Sequence, residues 1–411
     1  MGTVTGLDLA QMNHRHLPRW FELIIYVVAE ASIIATDLGQ VIGTAIALNI
    51  LIPKLPLPAA CVISVVETLL ILLFYTDTGE IRRLRIFEMF VSVLVIVVFV
   101  TICVALGMVD APAGPVFRGF LPSKEVFVDT GLYAMCAILG GTLMPHALYV
   151  GTALSKARLY EYDKKNHDLS QDQDGNTTGP ASSTESLGLP TSPTYRPSLR
   201  AIKNCLGYSI AELSVTLFIV AVFVNSALII IAGAAFYKPG ADPDELSDDL
   251  YDLYDLFSDA IAPAAGIMFA VSLLFSGVSA GLVSTMAGQI VMEGALNIRV
   301  SPFLRRLITR CVAIIPALII AVSVGKDGLS KALVACNYLL AIALIPITFP
   351  IVYYTCRAKY MAVPTDSGTG TVNLKNNWLT SGVAWLLWLL VVVMDVATIV
   401  LVAMGITKDE G

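Results

Sequence analysis

The sequence predicts an all-α polytopic membrane protein, and two observations carry that expectation. Hydrophobic residues make up 56% of the 411-residue chain and charged residues only 14%, with a mean hydropathy of +0.76. Soluble domains do not have that balance. The apolar residues are also gathered into about nine segments, each near the ~20 residues a helix needs to cross a bilayer. They lie at roughly 20–51, 57–76, 87–109, 130–154, 206–236, 261–292, 307–325, 329–355 and 378–405. The net charge of −6 says little, because the charges lie almost wholly in loops.

The segments set an expected organisation. Met1 opens a polar stretch with no cleavable signal peptide, so residues 1–19 are read as a cytoplasmic N-terminal segment. Residues 20–154 hold four transmembrane helices, the last of them broken. Residues 155–203 form a disordered cytoplasmic linker, rich in Ser, Thr, Asp, Gln, Gly and Pro. Residues 204–405 hold five more transmembrane helices, and 406–411 are a short tail. With this orientation most of the 26 lysines and arginines fall inside, which satisfies the positive-inside rule. The acidic loop from Asp242 to Asp259 then faces outside. Asn176-Thr177-Thr178 is a glycosylation pattern on the wrong side for modification. Residues 357–377 read as a second, shorter loop of the linker kind. The seven cysteines (61, 103, 136, 205, 311, 336 and 356) lie in or beside apolar segments with no close pair, and read as packing residues.

The fourth apolar segment carries Gly140-Gly141-Thr142-Leu143-Met144-Pro145-His146 in its middle. Glycine loosens a helix and proline removes a donor, so the helix should break there. Broken backbone at bilayer depth is tolerated where it is buried in protein or lines a cavity. A thioether and an imidazole beside freed carbonyls suit a soft or borderline metal. Met144 alone is also a good gap-filler, and His146 reads either as a satisfied core residue or as a proton-linked one.

Ionisable residues inside apolar segments are costly and point to function. Glu30 and Asp37 are seven apart in the first segment, on nearly one helix face, with Gln40 a turn further on. They suit a proton or cation path, or they pair with other helices. Glu67 and Asp395 are isolated, and Asp395 and Glu212 read as structural. Arg305, Arg306 and Arg310 open the seventh segment. They either snorkel to headgroups or face the acids of the first segment. Nothing in the sequence suggests enzymatic chemistry or nucleic-acid binding.

These segments together resemble the Nramp family of divalent-metal transporters. Ala29-Glu30 and the run from Ile34 to Asn49 resemble its third transmembrane helix. Met144-Pro145-His146-Ala147-Leu148-Tyr149 resembles its sixth, Ser276 to Gly294 its eighth-helix signature, and Arg305 to Arg310 the start of its ninth. The opening Val4-Thr5-Gly6-Leu7-Asp8-Leu9 and the long linker look most like fungal members. The resemblance implies the LeuT-like inverted-repeat fold and proton-coupled transport of divalent transition-metal ions such as manganese and ferrous iron. By matched position it implies Met144, the Gly141 carbonyl and Asn337 at the metal, with Asn337 standing for a family glutamine. It implies Asp37, Glu30 and His146 in the proton pathway, with Arg305 and Arg306 as partners. The metal ion and protons are cargo, and no cofactor is implied. The partner is the lipid bilayer, of the plasma membrane or a vacuolar or endosomal membrane.

The departures from the family pattern are specific. Gln40 stands where a glutamate is usual, Gly151 where many members have a second histidine, and Val278, Ala280 and Leu282 degrade the eighth-helix signature. The resemblance begins just before the third helix. The expectation is therefore an incomplete first repeat, without the Asp-Pro-Gly-Asn motif whose side chains bind metal. The alternative reading is a truncated, non-transporting scaffold or regulatory homologue of the same family.

Overall fold

The computed structural model describes residues 1–74, 81–109, 111–121, 123–124, 129–166, 197–236, 250–258, 263–296, 302–364 and 370–403. In chain order the helices are α1 (Gly2–Thr5), α2 (Leu9–His16), α3 (Arg19–Leu51), α4 (Leu57–Phe74), α5 (Ile81–Met108), α6 (Ala113–Gly119), α7 (Asp129–Thr142) and α8 (Pro145–Lys165). Then come α9 (Leu199–Thr216), α10 (Phe223–Phe236), α11 (Leu250–Leu256), α12 (Pro263–Leu296), α13 (Pro302–Ser323), α14 (Lys326–Thr355), α15 (Ala358–Met361) and α16 (Trp378–Ala403). Strands β1 (Ala362–Pro364) and β2 (Thr371–Asn373) pair antiparallel between α15 and α16.

Seven of the nine apolar segments marked in the sequence each fall on one of these helices, while 130–154 is shared by α7 and α8 and 206–236 by α9 and α10. Among the described residues, five helices are long and apolar enough to cross a membrane. Their outward faces remain apolar. Leu213 on α9, Phe218 and Ile219 just after it, and Leu386, Leu387, Leu389 and Leu390 on α16 are at least half exposed. Such a contiguous apolar surface fits lipid and does not fit water. Between α9 and α10 the helix widens into a π-turn at Leu217–Val222, which the apolar periodicity did not signal.

The core is built around α3, which packs most extensively on α12 and α14. Ala29, Ile33, Val41, Ile42, Ala45 and Ile46 of α3 are almost fully buried. Small residues let the backbones approach, the usual means of helix association where lipid supplies no hydrophobic drive. A methyl group on Gly277 of α12 would lie 2.5 Å from Thr44 Oγ1 of α3. One cluster joins Ile25, Ala29 and Ile33 to Tyr149, Val150 and Ala153 of α8 and to Met286, Ala287 and Ile290 of α12.

Two polar stretches prove to be built. Residues 1–16 form two helices, with Leu9 and Met12 exposed by 1% or less. Asp8 caps α2 by accepting from Gln11 N, and Gln11 Oε1 accepts from Asp8 N in return. Burial pushes the Asp8 carboxyl up from its ordinary value, against the opposing pull of the Gln11 amide and Lys156. Residues 357–377 include α15 and the β1–β2 hairpin. Met361 and Val363 pack there with Val4, Leu159, Leu199 and Ile202. The acidic 242–259 loop includes the short helix α11. The helix of α8 continues to Lys165, past the start of the expected linker. Residues 167–196, with the Asn176 pattern, lie outside the described residues, as does the Glu67 side chain.

Candidate functional site: a broken helix beside a polar ladder

The fourth apolar segment breaks where its composition says it should. α7 ends at Thr142, Met144 has φ −63° and ψ 116°, and α8 restarts with Pro145 at its first position. The reason is local. In a continuous helix the Gly141 carbonyl would accept from residue 145, and Pro145 has no N–H. Met144 becomes the residue before α8, in the extended conformation a proline imposes on its predecessor.

The break lies against α14. A Cβ on Gly141 would lie 3.4 Å from Asn337 Oδ1 and 3.5 Å from Nδ2, and one on Gly140 would collide with the Asn337 carbonyl and the Ala341 amide. The two glycines therefore let α7 touch α14 at Asn337. Of the expected metal donors, Gly141 and the Asn337 amide are thus neighbours, and half-buried Met144 is three residues along the same break. Among the described residues, no group of three His, Cys, Asp or Glu side chains forms a metal cage. The expected donors are a sulfur, a backbone carbonyl and an amide oxygen, and all three are uncharged.

The acids of α3 form a ladder with partners on three helices. Arg305 Nη2 of α13 donates to Glu30 Oε1 at 2.6 Å, and the pair is 8% and 20% exposed. Ser284 Oγ of α12 donates to Asp37 Oδ1 at 2.7 Å, with both residues fully buried. Arg310, 2% exposed, donates from Nη2 to Gln40 Oε1 at 2.9 Å and from Nη1 to the Asp37 carbonyl at 3.2 Å. His146, 1% exposed, places Nδ1 3.5 Å from Thr36 Oγ1. At the start of α3, Glu22 binds Arg19 at 2.7 Å and His14 at 2.8 Å, and Arg19 also reaches the Ala295 carbonyl of α12.

These contacts fix directions. As numbers rise along α3, from 19 through 37 to 44, the partners on α12 fall from 295 through 284 to 277, so the two helices run antiparallel. The partners on α13 rise from 305 to 310, so α13 runs parallel to α3. The resulting row of alternating carboxylate, hydroxyl, amide and guanidinium groups can pass or hold charge along α3.

The open choice for the arginines is thereby decided for two of them. Arg305 and Arg310 turn inward to α3 rather than outward to headgroups, while the Arg306 side chain lies outside the described residues. Gly288 sits beneath Arg305: a Cβ there would lie 2.9 Å from its Nε and Nη2. Gln40 Nε2 is buried with no hydrogen-bond partner among the described residues. A carboxylate in its place would have no such donor to strand. Glu212 meets Arg158 of α8 through both carboxylate oxygens.

Sequence reasoning missed Ser284, Thr36 and the special place of Arg310. Ser284 is one hydroxyl among many on a helix of small residues, and Thr36 bonds its own helix at Ser32 O. Only the register of the packed helices singles them out.

The comparisons with known proteins bear on the family and the fold. The family model described as natural resistance-associated macrophage protein-like (Nramp) matches residues 1–401. The chain is 40% identical to the manganese transporter SMF1 of Saccharomyces cerevisiae over 98% of this chain and 76% of that protein. It is 40% identical to the iron transporter SMF3 of the same organism over 90% of this chain and 73% of that protein. A crystal structure of a mutant of the Eremococcus coleocola manganese transporter superposes with a TM-score of 0.75 at 25% identity, covering 100% of this chain and 77% of that one. The architecture is the LeuT-like, multi-pass membrane fold.

Proposed function

The chain belongs to the Nramp family, and from that premise we propose that it moves divalent transition-metal ions, manganese or ferrous iron, across a membrane with protons as the coupled ion. The observation that carries the reading is the break at Leu143–Met144, which follows the Gly141 backbone set against the Asn337 amide and puts Met144 three residues further along the same break. In this reading Met144 sulfur, the Gly141 carbonyl and Asn337 Oδ1 hold the cation. A soft sulfur donor discriminates against calcium and magnesium, which take oxygen donors. Uncharged donors also hold the ion loosely enough to release it, as any transport site must.

Protons would use the ladder on α3. Asp37 and Glu30 are the carboxylates, His146 approaches from α8, and Arg305 faces Glu30. Arg306, on the same turn of α13, belongs to the expected set. Gln40 cannot take a proton in this range, so the pathway of this chain would run with one carboxylate fewer than is usual in the family. Arg310 would then be held by an amide and a backbone carbonyl, keeping its full charge beside Asp37.

The test is uptake of labelled manganese and ferrous iron by cells expressing residues 1–411, compared with Met144→Ala and Asp37→Asn. Met144→Ala should lower uptake about tenfold or more, as loss of a metal-site group does elsewhere. Asp37→Asn should abolish the stimulation of uptake by external acid. Uptake that is absent, or indifferent to Met144→Ala, would replace this reading with the non-transporting scaffold.

A further inference from the structure

We propose that Asp395 and Cys136 form a second proton-binding site, between α16 and the first half of the broken helix, apart from the ladder on α3. Asp395 is 0% and Cys136 1% exposed. The Cys136 thiol donates to Asp395 Oδ1 at 2.8 Å. Asp395 Oδ2 is buried with no hydrogen-bond partner among the described residues.

No cation balances this carboxyl among the described residues. α16 carries no other ionisable residue. On α7 the facing titratable group is Cys136 itself; the Asp129 and Tyr133 side chains are outside the described residues. α14 meets α16 through Trp388 Nε1 on the Ile345 carbonyl and through Phe349 against Trp385 and Trp388. Of the other titratable groups on α14, Cys336 packs with Ala35 and Leu340, Lys326 lies over the Tyr251 ring, Lys331 is exposed, Tyr338 is half-buried, Tyr353 stacks on Phe349, Tyr354 packs with Leu7 and Met12, and the Asp327 side chain lies outside the described residues. Among the described residues Asp395 makes no ion pair.

An uncompensated buried carboxylate is costly enough that the group takes a proton instead. Asp395 therefore holds a neutral carboxylic acid while α7 packs on α16. If α7 parts from α16, the carboxyl meets water and the proton leaves. By linkage, the bound proton favours the packed position of α7. Cys136 lies five residues before Gly141 on the same helix, so the proton acts on the segment that presents the break. This last consequence rests on the transport reading; the protonation itself does not.

The experiment is infrared difference spectroscopy of the purified full-length chain in lipid at neutral pH. The wild type should show the carbonyl stretch of a protonated carboxylic acid that is missing in Asp395→Asn, and Cys136→Ala should shift that band upward by removing the thiol donor. Identical wild-type and Asp395→Asn spectra would overturn the proposal. If Asp395→Asn does not fold, an unshifted band in Cys136→Ala overturns it in the same way. A wild type that moves no metal yet shows the band would refute transport and leave this site standing.

Discussion

Breaking the Glu30–Arg305 pair tests the reading that α13 faces α3 with its charges. The perturbation is a double-mutant cycle of Glu30→Gln and Arg305→Met. Two unit charges about 4 Å apart interact by about 4 kcal/mol at the effective dielectric of a partly buried site. Glu30 is still 20% exposed, so solvent screens part of this, and a coupling of about 2–3 kcal/mol is expected, above the ~0.2–1 kcal/mol of exposed pairs. Each single substitution should cost more than the coupling alone, because it strands the other charge. Gly288→Ala supplies a third arm. Its methyl would crowd the Arg305 guanidinium from 2.9 Å, so in that background the coupling should fall. The assay is reversible unfolding of the purified chain in mixed micelles. A coupling under about 0.5 kcal/mol, the value of a surface pair, would show that Arg305 lives at the headgroups. A coupling unchanged by Gly288→Ala would refute the packing argument while leaving the pair intact.

Gly140→Ala should separate α7 from α14, because the added carbon meets the Asn337 and Ala341 backbone. Overpacking of that kind costs about 1–3 kcal/mol, and metal uptake should fall with it; a stable variant with normal uptake would contradict the close approach. Arg310→Met strands the Gln40 amide oxygen, at about 1–3 kcal/mol, which the same unfolding assay reads. Asp8 supplies a pH test outside the membrane. Its folded pKa is raised by burial, so its titration contributes stability at low pH that is lost as pH rises through the folded value. Asp8→Asn keeps the α2 cap and should flatten this slope, while Asp8→Ala should also lose about 1 kcal/mol of capping at every pH.

What the sequence reveals and what it hides follow from the range of the forces involved. The helix positions are legible because lipid demands long apolar runs, and the break is legible because Pro145 removes one particular N–H. The shared face of Glu30, Asp37 and Gln40 follows from helix period alone. Their partners do not, because Ser284, Arg305 and Arg310 reach α3 only through the register of α12 and α13. Asp395 reads as isolated for the same reason: its partner Cys136 is 259 residues away. Residues 1–16 and 357–377 read as polar loops because their few apolar side chains make a core only when brought together from several parts of the chain.

That small core has a mechanical consequence for the break. Leu159, near the far end of α8, is fixed among Val4, Leu199, Ile202, Met361 and Val363, and Arg158 is tied to Glu212 of α9. α8 is thus a beam anchored at the end remote from Met144. A displacement of α7 cannot be absorbed by sliding α8 along its axis. It must appear as a change of angle at Leu143 and Met144, so the two residues that interrupt the helix also serve as its pivot.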